Sequence, residues 1–167
     1  MSAAGTNTPN TAEWGPPLWR IFHALAERSG RTNNQRQQIE EARLWASFLA
    51  GLRRSIPCAL CRKHYSDYLH ENPIEGILAK FGEERQTGLR LWFYTFHNSV
   101  NTRSNKTFEG SVENLPGIYG IYNNANFAAD KAVLIENMRR GMFHRLLTRD
   151  DMLKTIRAVE ELWLLSP

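Results

Sequence analysis

The stretch Glu13-Trp14-Gly15-Pro16-Pro17-Leu18-Trp19-Arg20-Ile21-Phe22-His23-Ala24-Leu25-Ala26-Glu27-Arg28 decides the fold class. Trp14, Leu18, Phe22 and Leu25 recur at spacings of three and four, the period of one face of an α-helix. Pro16 and Pro17 are tolerable in a first turn, where a backbone N–H has no helical partner to lose. Gly30 and the polar residues to Asn34 end this first helix.

The same period runs down the chain. A second helix is predicted from about Gln35 to Arg54, with Ile39, Leu44, Trp45, Phe48, Leu49 and Leu52 forming a wide apolar face. A third should begin at Ser55-Ile56-Pro57, with Ser55 as its cap and Pro57 in its first turn. It carries Cys58, Cys61, Tyr65, Tyr68 and Leu69 and stops at Asn72-Pro73. A short piece, Ile74 to Ala79, precedes a fourth long helix over about Glu83 to Arg103, with Leu89, Trp92, Phe93, Phe96 and Val100 on one side. From Thr107 to Asn126 the pattern loosens among Gly, Pro and Asn, and an ordered loop is expected. Phe127 to Leu147 and Asp150 to Leu165 read as two closing helices, the second opened by the capping-box pattern Thr148-Arg149-Asp150-Asp151. No strand-like alternation of useful length appears. The expectation is an all-α protein, a four- to five-helix bundle with an extra C-terminal helical pair. Along the chain, residues 1–12 read as a disordered tail, 13–106 as the bundle and 107–167 as a C-terminal loop and helical extension.

Composition bounds the function classes. With 167 residues, 42% hydrophobic and 23% charged, the chain has enough material for one ordinary core. The net charge of +4 comes from 21 basic residues scattered among 17 acidic ones. No basic tract stands out, so nucleic acid is not an expected partner. No apolar run approaches the roughly 18–20 residues of a membrane span. Met1 to Ala12 lack the basic and apolar regions of a cleaved signal peptide, so an intracellular protein is expected.

Only two cysteines occur, as Cys58-Ala59-Leu60-Cys61. A disulfide closing so short a loop constrains the unfolded chain little, so the pair points to chemistry instead of stability. A Cys-x-x-Cys serves thioredoxin-like proteins, zinc sites and other redox proteins. A thioredoxin fold needs strands around the motif. Zinc needs further ligands, and His64, His70 and His97 are the residues that would have to supply them. That zinc-stabilised helical module is the alternative reading; it predicts bound metal and no catalysis. The redox reading has its own physical basis. Free N–H groups at a helix start favour an anion, and the thiolate is the species that attacks disulfides and flavins.

Two further constellations flank the pair. His97, Asn98, Val100 and Asn101 lie within one turn, followed by Lys106; Trp14-Gly15, Trp19 and His23 recur at one-turn spacing on the first helix. Alone, each could be a plain helix end or a buried aromatic stripe.

Together the three sets resemble the Erv/ALR family of flavin-linked sulfhydryl oxidases, especially the forms encoded by large DNA viruses. The motifs are Trp14-Gly15-x-x-x-Trp19-x-x-x-His23, Pro57-Cys58-Ala59-Leu60-Cys61 with His64-Tyr65 after it, and His97-Asn98-x-Val100-Asn101 with Lys106. The resemblance spans about Glu13 to Lys106. It implies that FAD lies between the helices, lined by Gly15, Trp19, His23, Tyr65, His97, Asn98, Val100, Asn101 and Lys106. It implies Cys61 against the isoalloxazine and Cys58 as the sulfur that outside thiols reach. It also implies O₂ as the acceptor, a dithiol protein or thioredoxin-like carrier as substrate, a homodimer, and residence in the host cytoplasm or virion if the chain is viral. Family members often carry a second, shuttling cysteine pair. Two cysteines leave none for it here.

Overall fold

The computed structural model describes residues 7–107 and 110–166, and all regular structure among them is helical. The helices are α1 (Thr11–Arg28), α2 (Gln35–Ser55), α3 (Ala59–Glu71), the short α4 (Glu75–Leu78), α5 (Gly82–Arg103), the short α6 (Leu115–Tyr119), α7 (Asn124–Phe143) and α8 (Arg149–Leu165).

Side-chain caps set several starts. Asn10 accepts from the Ala12 N–H, Asn34 accepts from Arg36 and Gln37, and Thr148 with Asp151 forms the expected capping box of α8. Because Asn10 is the cap, α1 starts two residues before the predicted Glu13. Pro16 and Pro17 therefore stand in its second turn instead of its first.

Two expectations are corrected. Ser55 does not cap α3 but ends α2, where its hydroxyl meets the Gly51 carbonyl and Thr155 Oγ1, both at 2.9 Å. Pro57 lies in the connection, and Cys58 itself is the N-cap of α3. The physical reason is that Cys58 Sγ takes the Cys61 N–H, so the sulfur performs the capping expected of Ser55. Secondly, the segment from Thr107 to Asn126 is not a loop throughout. It holds a 3₁₀ turn at Val112–Asn114, then α6, and Asn123 with Asn126 forms a capping box that opens α7. The asparagines read as loop residues are a helix start. At its far end α7 stops at Phe143, short of the predicted Leu147, and Arg145 turns the chain at φ 59°.

The core is continuous. Phe22 of α1 stacks on Phe93 of α5 at 4.7 Å between centroids, and Trp45 of α2 lies 5.4 Å from Phe93. Leu134 and Met138 of α7 and Val159, Leu162 and Trp163 of α8 join the same buried cluster. α1 packs between α5 and α7, while α2 packs against α8 and α3. The C-terminal pair thus covers the outer faces of the first two helices. One buried ion pair, Arg85 with Glu41 at 2.6 Å, ties α5 to α2, and Glu41 also accepts from the Ser166 hydroxyl and the Gly30 N–H. Such a pair is tolerated in the core because further hydrogen bonds surround it: Arg85 also donates to the Lys80, Gln38 and Leu78 carbonyls.

Candidate redox and cofactor site

Cys58 and Cys61 are joined as a disulfide at the start of α3, with Cα atoms 5.2 Å apart. Cys58 has extended backbone (φ −162°, ψ 114°), and the Cys61 N–H points at its sulfur from 3.2 Å. A negative charge arising on that sulfur would meet a helix N-terminus. Arg62 anchors the motif: its Nη1 donates to the Leu146 carbonyl at 2.6 Å and the Arg54 carbonyl at 3.2 Å, joining α3 to the α7–α8 turn and the end of α2. Leu60, between the cysteines, is 63% exposed.

Cys61 lies on the wall of a cavity of about 330 Å³ whose lining includes Trp14, Gly15, Trp19, Tyr65, Phe96 and Val100. Cys58 is not part of that wall. A second cavity of about 530 Å³ adjoins the first, and its lining includes Arg20, His97, Asn101, Lys106, Tyr119 and Tyr122. Thr11, Gly15, Trp19, Val100 and Ser104 line both. The inner cavity is mostly apolar, with Cys61 on its wall and Arg103 as its one full cation; the outer one carries two, Arg20 and Lys106.

Of the sequence-predicted residues, Gly15, Trp19, Tyr65, His97, Val100, Asn101 and Lys106 meet along these two cavities. Two do not reach the wall. Asn98 is buried, and its Nδ2 has no hydrogen-bond partner among the described residues. His23 sits behind His97, with Nε2 2.9 Å from His97 Nδ1. Burial holds His23 at about 3, with the neighbouring His97 adding to the effect, and burial followed by the Lys106 charge holds His97 at about 4. Both rings are therefore neutral near pH 7. Trp19 covers the pair from the cavity side, stacked on His97 at 4.1 Å. Tyr65 donates its hydroxyl to the Leu49 carbonyl at 2.6 Å, and burial pushes its ionisation well above the usual range.

Other wall residues went unrecognised in sequence. Trp14, already inside the first motif, lines the inner cavity, as do His64 and Arg103. Arg20 follows Trp19 directly. Tyr119 and Tyr122 come from the segment read as loop, where no period marked them.

The donor set fits a flavin dinucleotide. A Cβ built on Gly15 would meet only Thr11 Cγ2, at 3.9 Å, so the bare backbone faces open cavity. Trp14 Nε1 is buried without a hydrogen-bond partner among the described residues. That leaves a donor beside the apolar, sulfur-ended space that a flat ring system would fill. Among the described residues no cluster of three His, Cys, Asp or Glu could hold a metal ion. None of the described helices is long and apolar enough to cross a membrane.

A sequence profile of the Erv1/Alr family matches residues 16–115. The chain belongs to the Erv1/Alr family. Among its relatives are the FAD-linked sulfhydryl oxidases of two African swine fever virus isolates, each 31% identical over 93 residues, covering 56% of this chain and 69% of theirs. The 088R protein of Frog virus 3 is 34% identical over 96 residues, covering 56% of this chain and 57% of its own length. No solved structure matches this Erv1/Alr chain. The family profile ends at residue 115, so α7 and α8 lie beyond it.

Proposed function

We propose that this Erv1/Alr chain is an FAD-linked sulfhydryl oxidase whose working disulfide is Cys58–Cys61. The observation that carries the assignment is the unequal placement of the two sulfurs. Cys61 lines the cavity framed by the residues expected to hold flavin, and Cys58 does not.

Function follows from that asymmetry. A substrate thiolate attacks Cys58 Sγ, the S–S bond breaks, and Cys61 leaves as a thiolate on the cavity wall. The second substrate thiol then attacks the mixed disulfide at the substrate sulfur, releasing an oxidised substrate and a reduced Cys58. The Cys61 N–H and the start of α3 hold the charge on Cys58 while it is the leaving sulfur. FAD held there would supply the remaining redox chemistry, as acceptor for the electron pair of the reduced Cys58/Cys61 dithiol with O₂ as the final oxidant and H₂O₂ as product. Trp14, Gly15, Trp19, Tyr65 and Val100 would hold the isoalloxazine against Cys61. His97, Asn101 and Lys106 would hold the rest of the cofactor, with His23 and Asn98 supporting them from behind.

Residues 13–106 carry the reacting groups, and 107–167 supply the C-terminal loop and helices. Holding no second cysteine pair, this chain meets its dithiol directly or through a separate thioredoxin-like carrier. The family resemblance also supports a dimer, which sedimentation would test.

The deciding experiment is the visible spectrum of the purified protein together with oxygen uptake on dithiothreitol. A yellow protein that consumes O₂ supports the reading. A colourless one that FAD cannot reconstitute sinks it.

A further inference from the structure

The outer cavity is not finished by the family-matched part of the chain. Its far wall is Tyr119 and Tyr122, and both lie after residue 115, where the family profile stops. Tyr119 of α6 stacks on His23 with ring centroids 4.8 Å apart. Tyr122 is fixed by Asp130 of α7, whose Oδ2 accepts its hydroxyl at 2.8 Å. The same carboxylate grips Arg20 of α1 from the other side: Nε reaches Oδ2 at 3.0 Å and Nη2 reaches Oδ1 at 2.8 Å. Asp130 is itself 7% exposed. One buried carboxylate thus sets the position of two wall residues drawn from opposite ends of the sequence.

The chemistry of that wall indicates which part of the ligand it serves. A fork-shaped pair uses the Nε and one Nη2 hydrogen of Arg20 and leaves the Nη1 hydrogens and the other Nη2 hydrogen for an anion. Lys106 stands on the same cavity. Two cations beside two tyrosine rings suit a diphosphate joined to an aromatic base, whereas the inner cavity, with Cys61 on its wall, has the single cation Arg103.

We propose that Asp130 is a positioning residue for the cofactor. By holding Arg20 and Tyr122 it completes the subsite for the diphosphate–adenosine half of FAD, so that flavin retention depends on α6 and α7, outside the family core. The inference rests on the FAD reading above and adds the part of the molecule that the C-terminal segment recognises.

The test uses the full chain carrying Asp130→Asn, Tyr122→Phe or Arg20→Gln, stripped of flavin and titrated with FAD and, separately, with riboflavin. Far-UV circular dichroism checks the fold of each. Riboflavin has the isoalloxazine but neither diphosphate nor adenosine, so it reports only the inner cavity. Asp130→Asn should weaken FAD about tenfold, a change of about 1.4 kcal/mol, while riboflavin binding stays within a factor of about two. Tyr122→Phe removes a single hydroxyl and serves if Asp130→Asn fails to fold. It should lose FAD affinity in the same direction, by less. FAD binding unchanged in both variants overturns the proposal, and so does an equal loss for FAD and riboflavin, which would mark a purely structural role. A wild-type chain that binds no FAD at all would instead remove the functional reading on which the inference stands.

Discussion

His23 Nε2 lies 2.9 Å from His97 Nδ1, so α1 and α5 are joined inside the candidate site by two imidazoles sharing one hydrogen bond. Such a bond needs one ring nitrogen to donate and the other to accept, which the neutral pair supplies. A charge on His23 is opposed by burial and by the neighbouring His97, and a charge on His97 by burial and by the Lys106 cation.

The pair should make stability pH-dependent. In the unfolded chain both rings titrate near 6.5; folded, His23 stands at about 3 and His97 at about 4. Both values are depressed, so the unfolded chain takes up protons first and stability falls with acidification. The contribution is whole above about pH 6.5 and is lost progressively toward pH 4 and then 3. Melting temperatures of the flavin-free protein between pH 7 and pH 4 should fall, and less steeply in His97→Gln. The same slope in both proteins would count against this account.

Gly15 separates cofactor binding from folding. Its Cβ would meet nothing closer than 3.9 Å, so Gly15→Ala crowds no protein atom and gains helix propensity, roughly 0.5–1 kcal/mol. The methyl would nevertheless occupy space shared by both cavities. The expected result is a flavin-free protein that melts slightly higher and binds FAD more weakly, by about tenfold if overpacking costs about 1–3 kcal/mol. Tighter or equal binding of FAD would place the cofactor elsewhere.

The two cysteines should fail differently. Cys58→Ser and Cys61→Ser should each abolish oxygen uptake on a dithiol. In Cys58→Ser the remaining thiolate stays on the inner cavity wall, and with FAD bound a long-wavelength absorption band should appear at alkaline pH. Cys61→Ser should lack it. If the band followed Cys58, the roles of the two sulfurs would be reversed.

The C-terminal pair should be needed for stability. Leu134, Met138, Val159 and Leu162 are at most 1% exposed, packed into the cluster that α1 and α2 build. Leu162→Ala should cost about 2–5 kcal/mol by chemical denaturation. Removing everything after Thr107 would uncover the faces of α1 and α2 and should give an insoluble or unfolded product. A soluble, cooperatively folding truncation would show that the first five helices suffice.

Much of this was written in local sequence. The three-and-four spacing of Trp14, Leu18, Phe22 and Leu25 specifies a helix wherever that segment lies, and Thr148 with Asp151 caps its own helix without help. Neighbouring residues supply both signals. The Cys-x-x-Cys spacing places two sulfurs within bonding reach, and the three motifs name the family. Where local signals competed, sequence gave the wrong start: Ser55 and Pro57 suit a helix beginning, yet packing of Ser55 on Thr155 keeps it in α2 and leaves the cap to Cys58. What only the tertiary structure decided is which residues face one another. His23 and Asn98 stand in the same motifs as Trp19 and Asn101, but the docking of α1 on α5 puts them behind the cavity wall. Arg20 and Asp130 are 110 residues apart, and no periodicity marks either as half of a pair. Their contact exists because apolar faces far apart in sequence bury against each other and bring α7 across α1, and burial, being non-directional, leaves no local trace of the partner it selects.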